Sequence, residues 1–363
     1  MGKRPVLFTL DAFAGRRMGG VRRMFLELFR RLPATGRPCR LAAGFVNGHL
    51  PALSLGGLDV AWPLISIPSL RGADRLVRAG NRCIDWFRPS AAGEILHPTY
   101  FREIPARITN PVVVTVHDMT AVLFYPAAYA TDIRIKQALI RRADMVIAVS
   151  ESTRSDLVRI LKIPHESIAV VHHGTGFDTV TANLVPELPT APFLLWVGAR
   201  GGHKNFAGAA RGLARCEAAR ELRLVCAGGG TFQKDEVELL RELDLAARTM
   251  QIDLTDGQLA WAYAQTAALL YCSSYEGFGL PIVEAFARGA PVVASNTSSM
   301  PEVGGPHAIY VDPQSDDGIA AGIGQAIAQG REPALVSARR AWASRFTWER
   351  CATETDAVYT KLD

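Results

Sequence analysis

The run Ser273-Ser274-Tyr275-Glu276-Gly277-Phe278-Gly279-Leu280-Pro281-Ile282-Val283-Glu284-Ala285 follows directly on an apolar stretch at 268–272. Together they read as a buried strand, a glycine loop and the first turns of a helix. Pro281 suits a first helical turn, where its missing N–H costs nothing. Glycines at 277 and 279 let a ligand approach the backbone. The N–H groups of Phe278, Gly279 and Leu280, at a helix N-terminus, make an anion site. Glu276 stands just before the loop, and Glu284 stands one turn into the helix. Two carboxylates beside an anion site suit a ligand that carries hydroxyls as well as phosphate, because carboxylates accept hydrogen bonds from sugar and ribose OH groups. A nucleotide sugar has both parts. The rival reading is a plain turn with Glu284 capping or pairing on a surface helix. It leaves two glycines, a proline and two acids at this spacing without a purpose.

Outward from this segment, short apolar runs alternate with amphipathic stretches of ten to fifteen residues. Strands are expected at 5–10, 41–46, 111–116, 145–149, 167–171, 193–197, 222–227, 268–272 and 291–295. Continuous apolar runs are what strands covered on both faces look like. Their alternation with helices implies βαβ units and parallel sheets. The chain of 363 residues suits two domains. Pro186, Pro189 and Pro192 mark the boundary, in a stretch with neither helical nor strand period. The expected organisation is an N-terminal Rossmann-like domain over 1–183, a linker over 184–192 and a second Rossmann-like domain over 193–345. Residues 346–363 follow as a last segment. Open parallel sheets bind ligands beyond the C-terminal ends of their strands, so the functional site belongs in a cleft between the domains.

A 48% apolar and 21% charged composition excludes disorder, collagen and coiled coil. No run of eighteen apolar residues offers a membrane-spanning helix. The opening Met1-Gly2-Lys3-Arg4-Pro5 leads into a strand-like run rather than a signal-peptide core, and Val6 takes the place of the Ser or Thr of a myristoylation signal. The formal charge of +5 is unevenly spread. Residues 1–90 hold 15 Arg and Lys against 5 Asp and Glu, whereas residues 91–363 hold 25 against 30. A basic front half attracts phosphate, nucleic acid or an anionic membrane surface. Residues 41–70 carry no Lys or Arg. Arg71, Arg75, Arg78 and Arg82 then fall on one face of a helix, with Leu76, Cys83 and Phe87 towards another. The stripe is either a solvated face or a docking surface for an anionic membrane or a phosphate-bearing acceptor. Cys39, Cys83, Cys216, Cys226, Cys272 and Cys351 form no C-x-x-C pair, so buried free thiols and a cytoplasmic location are expected.

At the glycine-loop segment the chain resembles the retaining glycosyltransferases of family 4, which have the two-domain GT-B fold. Their signature is a Glu, seven residues and a second Glu around a G-F-G-L-P-like core, and Glu276 to Glu284 matches it. The resemblance implies that Glu284 holds the donor's ribose hydroxyls and Glu276 the hydroxyls of the transferred sugar. Loop amides of Gly277, Phe278, Gly279 and Leu280 then hold sugar and phosphate. Gly19-Gly20-Val21 resembles the family's N-terminal glycine loop, facing donor phosphates and acceptor. Val116-His117-Asp118 resembles its V-H-D motif, whose His reaches the donor sugar, with Asp118 in support. Residues 148–153 resemble a recurrent A-V-S-x-x-T strand end, and 296–303 the stretch after the signature helix. Phe346-Thr347-Trp348-Glu349 resembles the start of a last helix that crosses back to the N-terminal domain.

One departure stands out. After Val197-Gly198 the family commonly places R-K-N, with Arg and Lys neutralising the donor diphosphate. This chain has Ala199-Arg200-Gly201-Gly202-His203-Lys204-Asn205. Lys204 fits directly, His203 replaces the Arg, and Arg200 would supply the second cation from a shifted position. A guanidinium fork and an imidazole are not interchangeable there.

The implied chemistry is transfer of a hexose from a nucleotide-diphosphate sugar to an acceptor hydroxyl with retention of configuration. Lys204, Arg200 and the helix N-terminus would stabilise charge on the leaving diphosphate, while Glu276 and Glu284 orient sugar and ribose. No carboxylate stands out as a covalent nucleophile, and no Asp-x-Asp pair ends a strand, so neither a metal nor another cofactor is expected. His172 and His173 either line the cleft or sit in an ordinary loop. The base pocket is expected near residues 250–254, and GDP-mannose is the donor suggested by the Lys204-Asn205 pair. The expected acceptor is a glycan or lipid-linked glycan, with peripheral contact to an anionic membrane and no nucleic acid. An epimerase or hydrolase of the same architecture, and a non-catalytic glycan-binding protein, are the alternatives.

Overall fold

The computed structural model describes residues 2–15, 19–48, 57–60, 64–67, 72–87, 91, 93–189 and 191–363. The chain divides into two compact units, one of Met1–Gly174 with Trp348–Asp363 and one of Thr175–Thr347. The Pro-rich stretch 184–192 therefore lies inside the second unit. Just before it, the Asn183 N–H bonds the Gly257 carbonyl (2.9 Å), and the Arg288 guanidinium donates to the Val180 carbonyl.

In the first unit the strands are β1 (Val6–Phe8), β2 (Cys39–Leu41), β3 (Gly44–Asn47), β4 (Asp59–Val60), β5 (Leu64–Ile67), β6 (Ile95–His97), β7 (Val113–Val116), β8 (Met145–Ala148) and β9 (Ile168–Val170). Among the described residues they pair in parallel as β4-β2-β1-β6, β7-β8-β9 and β3-β5. A parallel bridge between Leu96 and Val112 joins β6 to the start of β7. The expected strand at 41–46 is instead two strands in different sheets. Gly44 breaks it at φ +151°, and a Cβ there would lie 2.4 Å from Asn81 Oδ1.

The helices of this unit are α1 (Gly20–Arg31), α2 (Asp74–Phe87), α3 (Thr120–Phe124), α4 (Ala130–Arg142) and α5 (Glu151–Leu161). Ser150 caps α5 by accepting from the Thr153 N–H at 3.0 Å. The core is aromatic: Phe8 meets Phe29 edge-on at 5.1 Å, with Phe13 and Phe25 beside them. Helix α2 seats Val77 and Asn81, the latter pairing with both the N–H (2.6 Å) and the carbonyl (2.9 Å) of Phe45. Leu76 is 77% exposed. Cys83 is exposed too, against the expectation that every thiol is buried; the other five cysteines are buried.

The second unit contains β10 (Phe193–Val197), β11 (Arg223–Ala227), β12 (Thr249–Ile252), β13 (Ala268–Tyr271), β14 (Val292–Ser295) and β15 (Ile309–Val311). They form one parallel sheet in the order β12-β11-β10-β13-β14-β15. Counted from β10 this is 3-2-1-4-5-6, the doubly wound order of nucleotide-binding sheets. Phe193, Leu194, Leu195 and Trp196 are all buried because α6 (Phe206–Arg215), α7 (Lys234–Glu242), α8 (Asp256–Gln265), α9 (Leu280–Ala287), α10 (Met300–Gly304) and α11 (Asp316–Gln329) cover the sheet, with α12 (Pro333–Ala343) packed on α9. Reciprocal capping boxes start α7, between Gln233 and Glu236, and α8, between Thr255 and Gln258.

The chain then returns to the first unit as α13 (Trp348–Thr360), which buries Cys351, Ala352, Val358 and Tyr359 in the first core. Arg37 fixes its end. The fully buried guanidinium pairs with Asp356 and Asp363 and donates to Thr360 Oγ1 at 3.1 Å.

Candidate functional site

In a 3-2-1-4-5-6 sheet the ligand crevice lies where the winding reverses, between strands 1 and 4 of that count. Here these are β10 and β13, and the chemistry-bearing residues follow their C-terminal ends. Lys204 comes from the loop after β10 and Glu276 from the loop after β13. The Lys204 ammonium donates to both Glu276 oxygens, at 2.8 and 2.9 Å. Ser273 Oγ donates to the same carboxylate at 2.6 Å. Loop and loop are stitched together. Asn205, in the left-handed region at φ 59°, donates to the Cys272 carbonyl at 3.0 Å, and the Ser274 N–H bonds the His203 carbonyl at 2.7 Å. Ser298 accepts from the Glu276 N–H (2.9 Å), and Ser299 Oγ bonds the carbonyls of Glu276 (3.0 Å) and Phe278 (2.7 Å).

Helix α9 starts inside this frame, with Gly279 at φ 114° leading into Leu280 and Pro281. Glu284, 7% exposed, accepts a bond from the Tyr263 hydroxyl at 3.1 Å. The Tyr271 hydroxyl lies near both carboxylates. Burial first, then the charges of Glu276 and Glu284, push its pKa well above 10. Glu276 and Glu284 thus border one tyrosine, the first from the loop that Ser298 and Ser299 hold and the second from the helix that follows it. The lysine ammonium also sits 6.0 Å from the Tyr271 ring centre.

Arg200 is placed differently from Lys204. Its side chain is 1% exposed and pairs with Glu236 at 3.1 Å. It donates to the carbonyls of Gly228 (3.0 Å), Gly230 (2.8 Å) and Thr231 (3.1 Å) and stacks on Phe232 at 4.5 Å. Gly228, Gly229 and Gly230 all have φ between +73° and +78°, and a Cβ on Gly229 would lie 2.7 Å from the guanidinium. Arg200 therefore organises a glycine turn after β11. Gly198, at φ 103°, ends β10 with open space where a Cβ would stand.

In the first unit the residues after β7 form a second cluster. His117 stacks on His173 at 5.4 Å, and His173 lies 5.9 Å from Trp348. His117 Nε2 is buried with no hydrogen-bond partner among the described residues. Burial, and after it the charge of Lys136, lowers the His117 pKa to about 3, so the ring is neutral at physiological pH. Asp118 does not bond His117 among the described residues; its carboxylate accepts from the Thr120 N–H at 2.9 Å. The buried Lys136 ammonium donates to the Asp118 carbonyl and lies 4.8 Å from the Phe101 ring centre. Gly19 caps α1 and Gly20 is its first residue. Along α2, Arg75 and Arg82 are exposed, whereas Arg78 turns over the Tyr100 ring at 5.4 Å. Arg71 lies outside the described residues.

Two family models match the chain: "Glycosyltransferase Family 4" over residues 18–178 and "Glycosyl transferases group 1" over 185–342. The two matches follow one another along the chain, and the two parallel α/β units are those of the GT-B architecture. It is 30% identical over 233 residues to the O-antigen chain mannosyltransferase B of Escherichia coli, covering 61% of each chain. It is 25% identical over 207 residues to the O-antigen chain mannosyltransferase RfbU of Salmonella typhimurium, covering 56% of this chain and 57% of that one. The match thus spans about three-fifths of the length of these curated relatives. A glycosyltransferase structure from Rickettsia africae ESF-5 shares the fold over 100% of this chain and 99% of that one, with a TM-score of 0.72 at 18% identity.

The strand ends and the glutamate pair were readable from sequence. Tyr263, Ser273, Ser298 and Ser299 were not. Tyr263 sits in the last turn of α8, 21 residues from Glu284, and only the packing of α8 on α9 brings them together. Lys136 was equally hidden, as one basic residue among several on α4. Among the described residues, no group of three or more His, Cys, Asp or Glu is placed to hold a metal ion. Nor is any described helix long and apolar enough to cross a membrane.

Proposed function

We propose that this protein transfers a hexose from a nucleotide-diphosphate sugar to a hydroxyl of a glycan or lipid-linked acceptor, with retention and without a metal. The carrying observation is the Lys204–Glu276 pair at the winding reversal of the second sheet, with Glu284 buried on the adjacent helix. In this reading Lys204 exchanges part of its bond to Glu276 for the donor diphosphate. Glu276 turns to the sugar hydroxyls, and Glu284, held by Tyr263, takes the ribose. The bond from the anomeric carbon to the phosphate oxygen breaks as the acceptor oxygen attacks from the same face. The acceptor proton passes to the departing phosphate. Charge on that phosphate is met by Lys204 and the start of α9. Arg200, committed to Glu236 and the glycine turn, acts as a positioning residue. The neutral His117 positions the donor sugar.

The relatives' names support mannose, and hence GDP-mannose, as the donor for surface polysaccharide synthesis in the cytoplasm. A thermal-shift panel of GDP-, UDP-, ADP- and dTDP-sugars tests the reading, because a ligand that binds the folded state raises apparent stability. GDP-mannose is expected to give the largest shift. A larger shift with another nucleotide sugar would replace the base and sugar, and no shift with any of them would remove the donor site altogether.

A further inference from the structure

We propose that the segments after β6 and β7, α3 included, form an aromatic shelf that stacks at least two sugar rings of a glycan acceptor. The proposal rests on the glycosyl-transfer reading and adds the acceptor's chemical class to it. Strands β6 and β7 run parallel and are joined by the Leu96–Val112 bridge, so their following loops leave the same end of the sheet. That is the end at which open parallel sheets take ligands.

Large apolar side chains are unusually exposed there. Tyr100 is 38% exposed, Leu123 36%, Phe124 41% and Tyr129 48%. The rings form two groups, Tyr100 with Phe101 at 5.2 Å and Tyr125 with Phe124 at 6.3 Å and Tyr129 at 6.2 Å, and the groups meet where Tyr129 neighbours Tyr100. A contiguous exposed apolar patch on a soluble unit marks an interaction site.

The charges around the rings select the occupant. The Tyr100 hydroxyl is surrounded by Arg78, Asp118, Asp132 and Tyr129, and burial raises its pKa first, with the two carboxylates adding to the rise. Asp132 is exposed, and Arg134 beside it is already paired with Glu103 at 3.5 Å. Arg78 and Lys136 stand against Asp118 and Asp132 around the rings, so the shelf presents no single sign of charge to an anionic lipid surface, and an alkyl chain has no use for either. A sugar ring uses both features. Its C–H face lies on an aromatic ring, and its hydroxyls donate to carboxylates. Several rings in succession suit several sugars in succession, as aromatic platforms do for successive bases. Asp118 belongs both to this shelf and to the His117 loop, which puts the glycan's end beside the residues proposed to position the donor sugar.

The test compares the wild-type protein with a Tyr100→Ala/Phe124→Ala/Tyr129→Ala variant on an array of mono- to tetrasaccharides from bacterial surface polysaccharides. A Tyr129→Ala single variant and its Tyr129→Phe counterpart guard against a folding defect. Wild type is expected to bind tri- and tetrasaccharides at least 10-fold more tightly than monosaccharides. The triple variant is expected to lose that preference, and Tyr129→Phe to keep most of what Tyr129→Ala loses. No glycan binding by wild type, equal binding by the triple variant, or monosaccharides bound as tightly as tetrasaccharides would each overturn the shelf. The nucleotide-sugar thermal shift is read on the same proteins. A normal shift with unaltered glycan binding sinks the shelf alone, whereas no wild-type shift sinks the transfer reading.

Discussion

Glu284 keeps one oxygen on the Tyr263 hydroxyl, and Tyr263 itself is wedged edge-on against Phe177 at 5.7 Å. Tyr263→Phe keeps the ring and deletes one hydrogen bond, which contributes about 1 kcal/mol. Donor affinity measured by calorimetry with GDP-mannose is expected to fall about 5-fold. Glu284→Ala removes the proposed ribose acceptor itself and should abolish measurable binding. A Tyr263→Phe protein with wild-type affinity would leave that bond without a role. Lys204 calls for a different measurement, because it is proposed to act on charge that grows during the reaction. Lys204→Ala should lower kcat by about 100- to 1000-fold, the loss seen when one donor to a developing anion is removed. A kcat within threefold of wild type would sink the assignment. At this scale the sequence was informative where neighbouring residues share a proposed task. Glu276 and Glu284 stand in one recognisable run with the loop amides between them, and Lys204 stands in a run of its own after β10, 72 residues from Glu276. Arg200 reads as a second free cation in sequence. Its commitment to Glu236 depends on a turn 28 to 31 residues away and carries no local signal.

Elements show the same division. All nine strands expected from continuous apolar runs have a counterpart, because strands buried on both faces cannot afford polar interruptions. The strands that went unread are short or lie at edges. β6 is three residues bounded by Glu94 and Pro98, β15 is a three-residue edge strand, and β12 is an edge strand with every residue only partly buried. Helix α2 was expected from its arginine spacing, but packing, not spacing, sorts those arginines. Arg75 and Arg82 face solvent while Arg78 covers Tyr100. If α2 meets an anionic membrane, Arg75→Ser/Arg82→Ser should weaken binding to phosphatidylglycerol vesicles about 30-fold at low salt, read by sedimentation, at about 1 kcal/mol per basic residue. Equal sedimentation would make the stripe a solvated face. Helix α13 supplies the stability counterpart. Asp356→Ala removes one of the two carboxylates holding the fully buried Arg37. Breaking a buried pair costs about 3 kcal/mol, visible as a lower midpoint in urea, and a change below 0.5 kcal/mol would show that Asp363 suffices.

At the scale of the whole molecule the charge imbalance has a partner in the histidines. The first unit, which holds the basic front of the chain, buries His97, His117 and His173. Burial lowers His97 and His117 to about 3 and His173 well below 6.5, with the charges of Lys136 and His97 adding to the shift of His117. His97 is committed to Tyr359 of α13 at 2.6 Å and to Thr115 at 3.0 Å, so its proton state is tied to the return of the chain. The second unit has His203 and His307, both only partly buried. An unfolded histidine titrates near 6.5, so below that pH the unfolded first unit binds more protons than the folded one. Its stability is complete above about pH 6.5 and falls as pH drops towards 3, by about 1.4 kcal/mol per histidine per pH unit. Asp363, lowered to about 2 chiefly by its bond to Arg37, weakens the fold only below about pH 4 and leaves this window alone. Scanning calorimetry between pH 8 and pH 5 should therefore resolve two transitions, since two units need not unfold together. One transition moves steeply to lower temperature on acidification and the other moves little. His97→Asn should lower the first transition at pH 8 yet flatten its dependence on pH by about one proton. Two transitions that shift in parallel, or a His97→Asn protein with the wild-type slope, would show that the buried imidazoles do not set the acid limit of the first unit.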